Sequence, residues 1–221
     1  MRRLFVYLLI LLCFPCSALA DGSNKTNEPP PVVKTVLDGD TFIMQDGTIV
    51  RLAGIDAPET GKRDHPPQRY AEESRSALEE MVLGRQVSVI PAGKGRDDFG
   101  RVVAIVRLED KTNVNLEMVK QGLAFYYWFS DLPRHYREQA LGAQRLAIMG
   151  QKGFWAMLFE LKAAREKWIG NRNTHRACPE SFKNARRVSS KHRALFNTMR
   201  ESFWRGYAPA RDCTPWPEEG D

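Results

Sequence analysis

Histidine and cysteine are both scarce in this chain, four of each in 221 residues. His65, His135, His175 and His192 form no recognisable base or metal constellation. The one run that sets cysteine near histidine, His175, Cys178, His192 and Cys213, has the spacing H-x2-C-x13-H-x20-C, which matches no tight zinc pattern. Zinc stays a rival reading of those residues, well behind a disulfide. Long apolar runs are equally few. The first, Leu4 to Leu12, falls short of the ~20 residues that cross a bilayer, and no later segment can span one.

That first run belongs to a secretory signal over residues 1–20: Arg2 and Arg3 form the basic start, and Ala18-Leu19-Ala20 is a small-residue cleavage site. The exported protein is expected to begin near Asp21, secreted or periplasmic, with no stable membrane anchoring. Lipidation at Cys13 or Cys16 is disfavoured, because Leu12 and Pro15 stand where a small residue is expected. An uncleaved anchor remains the alternative. Export leaves Cys178 and Cys213 as an even pair in an oxidising compartment, which predicts a disulfide. Its closure would stabilise the tail by about 4 kcal/mol on the loop-entropy account.

Charge is distributed unevenly. Residues 161–221 carry 13 Lys and Arg against 7 Asp and Glu, whereas residues 21–160 carry 18 against 20. A basic tail raises association rates with a polyanion; a solvated helix face accounts for it equally well.

Residues 21–31 are polar and end in Pro29-Pro30-Pro31, a stiff lead-in. From Val32 to Ile55, β-branched runs broken at Asp38-Gly39 and Asp46-Gly47 predict three strands, Val32 to Leu37, Thr41 to Gln45 and Thr48 to Ile55. Apolar residues at helical spacing over Gln68 to Leu83 predict a helix stopped by Gly84. Gln86 to Pro91 and Arg101 to Leu108 read as strands separated by a flexible stretch, Ala92 to Gly100, and Asn113 to Gln121 and Leu132 to Gly150 as helices. The fold class expected is α+β: a five-stranded Greek-key β-barrel of the OB-fold type with about three packed helices over residues 32–160. Phe182, Ala185, Val188, Leu195, Met199 and Phe203 fall near helical spacing, so residues 161–221 are expected to form a basic helical extension.

Three stretches at strand ends and turns concentrate carboxylates and guanidiniums: Asp38-Gly39-Asp40-Thr41, Arg51 through Asp56-Ala57-Pro58-Glu59-Thr60, and Asp98-Phe99-Gly100-Arg101. Singly, each reads as turn residues. Together they supply what phosphodiester hydrolysis requires. Asp oxygens hold a divalent cation, Glu orients or deprotonates a water, and Arg offers fixed bidentate donors to a phosphate whose equatorial oxygens gain charge. Arg51 and Asp56 are five apart and would face opposite sides of a straight strand, so a bend is required between them. Gly54 permits one.

These stretches, in this order, resemble the three signatures of staphylococcal-nuclease-like thermonucleases. Val114-Asn115-Leu116 to Gln121-Gly122-Leu123-Ala124 and Gly153-Phe154-Trp155 resemble the family's later landmarks, so that the likeness covers residues 32 to 160. The resemblance implies a partly open barrel, a Ca²⁺ cofactor, and cleavage of DNA and/or RNA to products with 3′-phosphate ends. It also implies roles. Asp40 and Asp56 would bind calcium directly, the Ala57 carbonyl would be a third ligand, and Asp38 would lie in the outer shell. Glu59 would handle the water, and Arg51 and Arg101 would grip the phosphate.

Two departures stand out: Ala57 where some members have Thr, and Phe99 where a hydroxyl-bearing Tyr often helps hold a terminal phosphate. Lys62 and Arg63 are candidates for the nucleic-acid backbone. Within Phe125 to Phe129 a base-stacking aromatic is plausible, with core packing the default. The protein is expected to act as a monomer. The alternatives are a non-catalytic barrel that binds nucleic acid or protein, and an envelope interaction factor acting through its basic tail.

Overall fold

A computed structural model describes residues 31–61, 66–183, 185–211 and 213. The signal segment, residues 21–30 of the lead-in, and Lys62 and Arg63 lie outside the described residues.

Three short strands open the fold, β1 (Val33–Asp38), β2 (Thr41–Met44) and β3 (Ile49–Leu52); β3 alternates as a half-buried strand should, whereas β1 buries Val33 and Val36, three apart, across a register shift. Phe42, Met44, Val50 and Leu52 face inward, almost wholly buried. The run then breaks at Ala53-Gly54 and resumes as β4 (Ile55–Asp56). Gly54 has φ +74°, a conformation that favours glycine, and a Cβ there would stand 2.8 Å from Leu132 Cδ1 and have to displace that side chain. This is the bend that the spacing of Arg51 and Asp56 demanded.

Helix α1 (Ala71–Val82) buries Ala71, Ser74, Leu78 and Val82, one stripe at spacings of three and four. It packs against β1, and β5 (Ser88–Arg96) and β6 (Val102–Arg107) complete the sheet. The order β1-β2-β3-β6-β5 makes one five-stranded sheet, with β3 and β6 parallel. Among the described residues its two edges meet through the isolated bridge of Val32 with Gln86 and a few backbone bonds around it, Val33 N to Arg85 O, Gly84 N to Val33 O and Val87 N to Pro31 O. The five strands expected are therefore present, but no continuous ladder closes them into a barrel. β5 also runs on to Arg96 through residues read as flexible, because β6 pairs with it past a register slip between Pro91 and Arg96.

Helix α2 (Val114–Lys120) starts on an Asn113 cap, whose side chain accepts from Leu116 N. Buried Asn115 accepts from Val106 N at 2.9 Å and donates to the carbonyls of Ala53 and Ala104, both at 3.0 Å. It thus satisfies Val106 N and Ala53 O where β3 breaks off, and adds a second donor to Ala104 O, which already accepts from Ala53 N at 2.8 Å. Strand β7 (Phe125–Tyr126) pairs with β4, and α3 (Arg134–Met149) and the short α4 (Trp155–Glu160) complete this part.

The extension corrects the sequence reading. Residues expected to be helical form a four-stranded sheet in the order β10-β8-β9-β11, from β8 (Trp168–Asn171), β9 (Arg176–Pro179), β10 (Arg193–Phe196) and β11 (Ala208–Pro209), with one six-residue helix α5 (Met199–Trp204). In β10, Ala194 and Phe196 are buried while Leu195 is 69% exposed, so the true period there is two rather than 3.6. The expected disulfide joins Cys178 and Cys213, Cα atoms 5.7 Å apart.

One apolar cluster crosses position 160. Phe203 of α5 lies 5.5 Å from Phe125, 5.5 Å from Trp155 and 5.3 Å from Trp168, ring to ring. Buried Gln144 ties the same seam, accepting from Tyr126 N and donating to Phe203 O, both at 2.7 Å.

Candidate active site

The tight turn from β1 to β2 carries Asp38 and Asp40. Gly39 between them fits because a Cβ would stand 2.6 Å from Ser74 Cβ and 2.7 Å from Ala57 Cβ. Asp40 is 2% exposed and fully engaged: Oδ2 accepts from Ala57 N at 2.9 Å, while Oδ1 accepts from Thr41 Oγ1 at 2.8 Å and from Arg51 Nη1. Asp38 Oδ1 accepts from Asp40 N at 2.9 Å. Burial, and then the neighbouring charge of Asp40, push the Asp38 carboxyl up to about 7.

Arg51 sits opposite Thr41 in the β2–β3 register. Its second terminal nitrogen donates to Asp56 Oδ1 at 2.9 Å, so a single guanidinium straddles Asp40 and Asp56. Burial disfavours the Arg51 charge, but the two carboxylates outweigh it and hold the guanidinium firmly protonated. The Asp56 carboxyl is pushed up by burial and pulled down further by Arg176 and Arg51. It lies below the usual carboxylate range.

Arg101 is placed differently. Its Nε and Nη2 reach Asp97 Oδ2 at 2.7 Å, and its amide donates to Asp97 Oδ1 at 3.0 Å, a local clasp across the β5–β6 turn. Arg51 and Arg101 nevertheless line one cleft of about 440 Å³, together with Tyr127, Phe129 and Arg176. Of the aromatics in doubt, Phe125 and Tyr126 are core residues, while Tyr127 and Phe129 face this cleft. Phe99 lines it as well and is 78% exposed.

Glu59 is exposed and is not among the described residues lining that cleft. Its amide donates to Gln68 Oε1 and its carbonyl accepts from Gln68 N, both at 2.9 Å, which fastens the loop ahead of α1. Among the described residues its carboxylate makes no ion pair. The structure thus gathers Asp38, Asp40, Arg51, Asp56 and Ala57 in one network, sets Arg101 in the lining of the cleft that Arg51 also lines, and leaves Glu59 exposed outside that lining.

Arg176 of β9 escaped the sequence reading. Its Nη1 donates to Asp56 Oδ2 at 2.5 Å and to Pro209 O at 2.7 Å, and its guanidinium carbon lies 4.2 Å from the Tyr127 ring centroid. Nothing in a tail of 13 basic residues distinguishes this one; only the fold brings it to Asp56.

Among the described residues no three His, Cys, Asp or Glu side chains converge as a ready-made metal cage. The guanidiniums of Arg51 and Arg176 stand among the carboxylates and take their oxygens. The donor set itself, Asp38, Asp40 and Asp56 with backbone carbonyls nearby, is all oxygen and suits a hard cation. A cation bound there would share or take an oxygen that an arginine now holds.

Residues 49–157 match the model of the staphylococcal nuclease homologue family. The chain is 34% identical over 160 residues to an uncharacterized endonuclease of Haemophilus influenzae, covering 70% of this chain and 79% of that one. The chain belongs to the staphylococcal nuclease family. The thermonuclease of Staphylococcus hyicus is 32% identical over 139 residues, 61% of this chain and 80% of the relative. Endonuclease YhcR of Bacillus subtilis is 27% identical over 201 residues, 80% of this chain, which spans only 16% of that longer protein. The staphylococcal nuclease match contains Arg51, Asp56, Ala57, Glu59 and Arg101, and ends before Arg176.

Proposed function

We propose that the protein is an exported, calcium-dependent endonuclease that hydrolyses phosphodiester bonds of DNA and/or RNA to products with 3′-phosphate ends, acting as a monomer. The observation that carries this reading is the bridge of Arg51 between Asp40 and Asp56 at a cleft that Arg101 also lines. Membership of a nuclease family and relatives named endonuclease and thermonuclease support the hydrolytic chemistry.

Asp40, Asp56 and the Ala57 carbonyl would hold the calcium ion, with Asp38 behind them. When bound, the ion supplies positive charge that polarises the phosphate and lowers the barrier to attack. Arg51 and Arg101 hold the phosphate through charge-assisted donors and stabilise the charge that gathers on its equatorial oxygens. Glu59, on the solvent side, orients the attacking water and accepts its proton. Lys62 and Arg63, in the same loop as Glu59, meet the nucleic-acid backbone. Export is supported by the Cys178–Cys213 disulfide, which fits an oxidising compartment. Among the described residues no helix is long and apolar enough to cross a membrane.

The test is cleavage by the purified chain with and without Ca²⁺, in the native sequence and in Asp40→Ala and Glu59→Gln. Tight nucleic-acid binding without cleavage would favour a binding module instead.

A further inference from the structure

Arg176 is the feature that the proposed chemistry leaves unused. It comes from the extension sheet, outside the matched nuclease segment, yet it bonds Asp56 and lines the same cleft as Arg51 and Arg101. Its side chain is 15% exposed and it is tightly held. One terminal nitrogen is spent on Asp56 Oδ2 and Pro209 O, and Tyr127 lies against the guanidinium plane. Among the described residues its Nε and Nη2 have no protein partner, although Nη1 has two. A guanidinium fixed by three neighbours and with donors to spare, beside Arg51 and Arg101, is built to receive an anion rather than merely to close an ion pair.

We propose that Arg176 is a third phosphate-holding arginine of the cleft, contributed by the C-terminal sheet, and that this sheet is therefore part of the substrate site. The inference rests on the nuclease reading, and it names the position that the extension adds to it. Tyr127 and Pro209 fix the arginine in place, so its donors are set before substrate arrives and little side-chain freedom is lost on binding. The contact is with the phosphate backbone and carries no base preference.

The experiment measures binding of a fluorescently labelled single-stranded oligodeoxynucleotide to the full chain, in chelator, over a series of salt concentrations. It compares the native protein with Arg176→Ala and Arg176→Lys. Arg176→Ala should weaken binding about tenfold and make the plot of log affinity against log salt shallower by about 0.7, one phosphate contact on a single strand. Arg176→Lys should keep the slope while losing part of the affinity. In the cleavage assay the alanine variant should raise KM more than it lowers kcat. An unchanged slope and KM in folded Arg176→Ala, with only its melting temperature lowered, would make Arg176 a structural ion-pair partner and overturn the inference. Native protein that neither binds nor cleaves would instead sink the nuclease reading on which it rests.

Discussion

Arg176 donates to Asp56 at 2.5 Å across 120 residues of sequence, joining the C-terminal sheet to the heart of the nuclease-like site. The same carboxylate takes Arg51 on its other oxygen, so its charge and orientation are set from two sides.

That arrangement fixes a pH dependence. Asp56 in the folded protein has a carboxyl below its ordinary value: burial raises it, and Arg176 with Arg51 more than reverses the effect. A depressed folded value means that the unfolded chain binds the proton more readily. The stabilisation is full above the unfolded value of about 3.9 and is lost as pH falls through the folded one. Thermal melts in chelator should show an acid limb that is shallower in Asp56→Asn than in the native protein. A limb of equal steepness would mean that Asp56 takes no part in it.

Arg51 is the keystone of the buried charges. Arg51→Ala leaves Asp40 buried with its hydrogen bonds from Ala57 N and Thr41 Oγ1 but no counter-charge. Stability should fall by about 3 kcal/mol in denaturant titrations, the scale for breaking a buried pair. Adding Asp40→Asn should restore much of that loss. Activity should drop by about a hundredfold or more in Arg51→Ala and stay low in the double variant, because the phosphate donor is still missing.

Gly54→Ala tests the bend. A side chain at φ +74° with its Cβ 2.8 Å from Leu132 must strain the backbone or displace the leucine. The expected cost is about 1–3 kcal/mol, read as a lower denaturation midpoint. Activity should fall further than stability alone explains, since the bend sets Asp56 beside Arg51.

The disulfide ties β9 to the segment after β11. A Cys178→Ser, Cys213→Ser variant should lose about 4 kcal/mol on the loop-entropy account, measured by chemical denaturation. No change in midpoint between oxidised and reduced native protein would contradict a stabilising role.

Much of this architecture is written in local patterns. The β-branched runs of β1 to β3 broken near Asp38-Gly39 and Asp46-Gly47, the spacing of buried residues in α1, and glycine between Arg51 and Asp56 each follow from short-range rules, and the structure keeps them. The extension misled because Phe182, Ala185, Val188, Leu195, Met199 and Phe203 mimic a helical period by coincidence. Met199 and Phe203 do lie on a helix, whereas Leu195 faces solvent from a strand. Pairing with β8 decided that segment, and pairing partners distant in sequence leave no trace in a period. Arg176 was illegible for the same reason. The grouping of Asp40, Arg51 and Asp56 was legible through the resemblance of their stretches to the nuclease signatures rather than through spacing alone, whereas the clasp of Arg101 on Asp97 and the exposed place of Glu59 outside the cleft lining depend on how whole loops lie.

The measurement that bears most directly on the account is nucleic-acid cleavage by the purified chain in chelator and in Ca²⁺, with Asp40→Ala and Glu59→Gln beside it. Cleavage that requires Ca²⁺ and falls about a hundredfold or more in both folded variants is the expected result. Cleavage that persists in chelator, or full activity in either variant, would contradict the account.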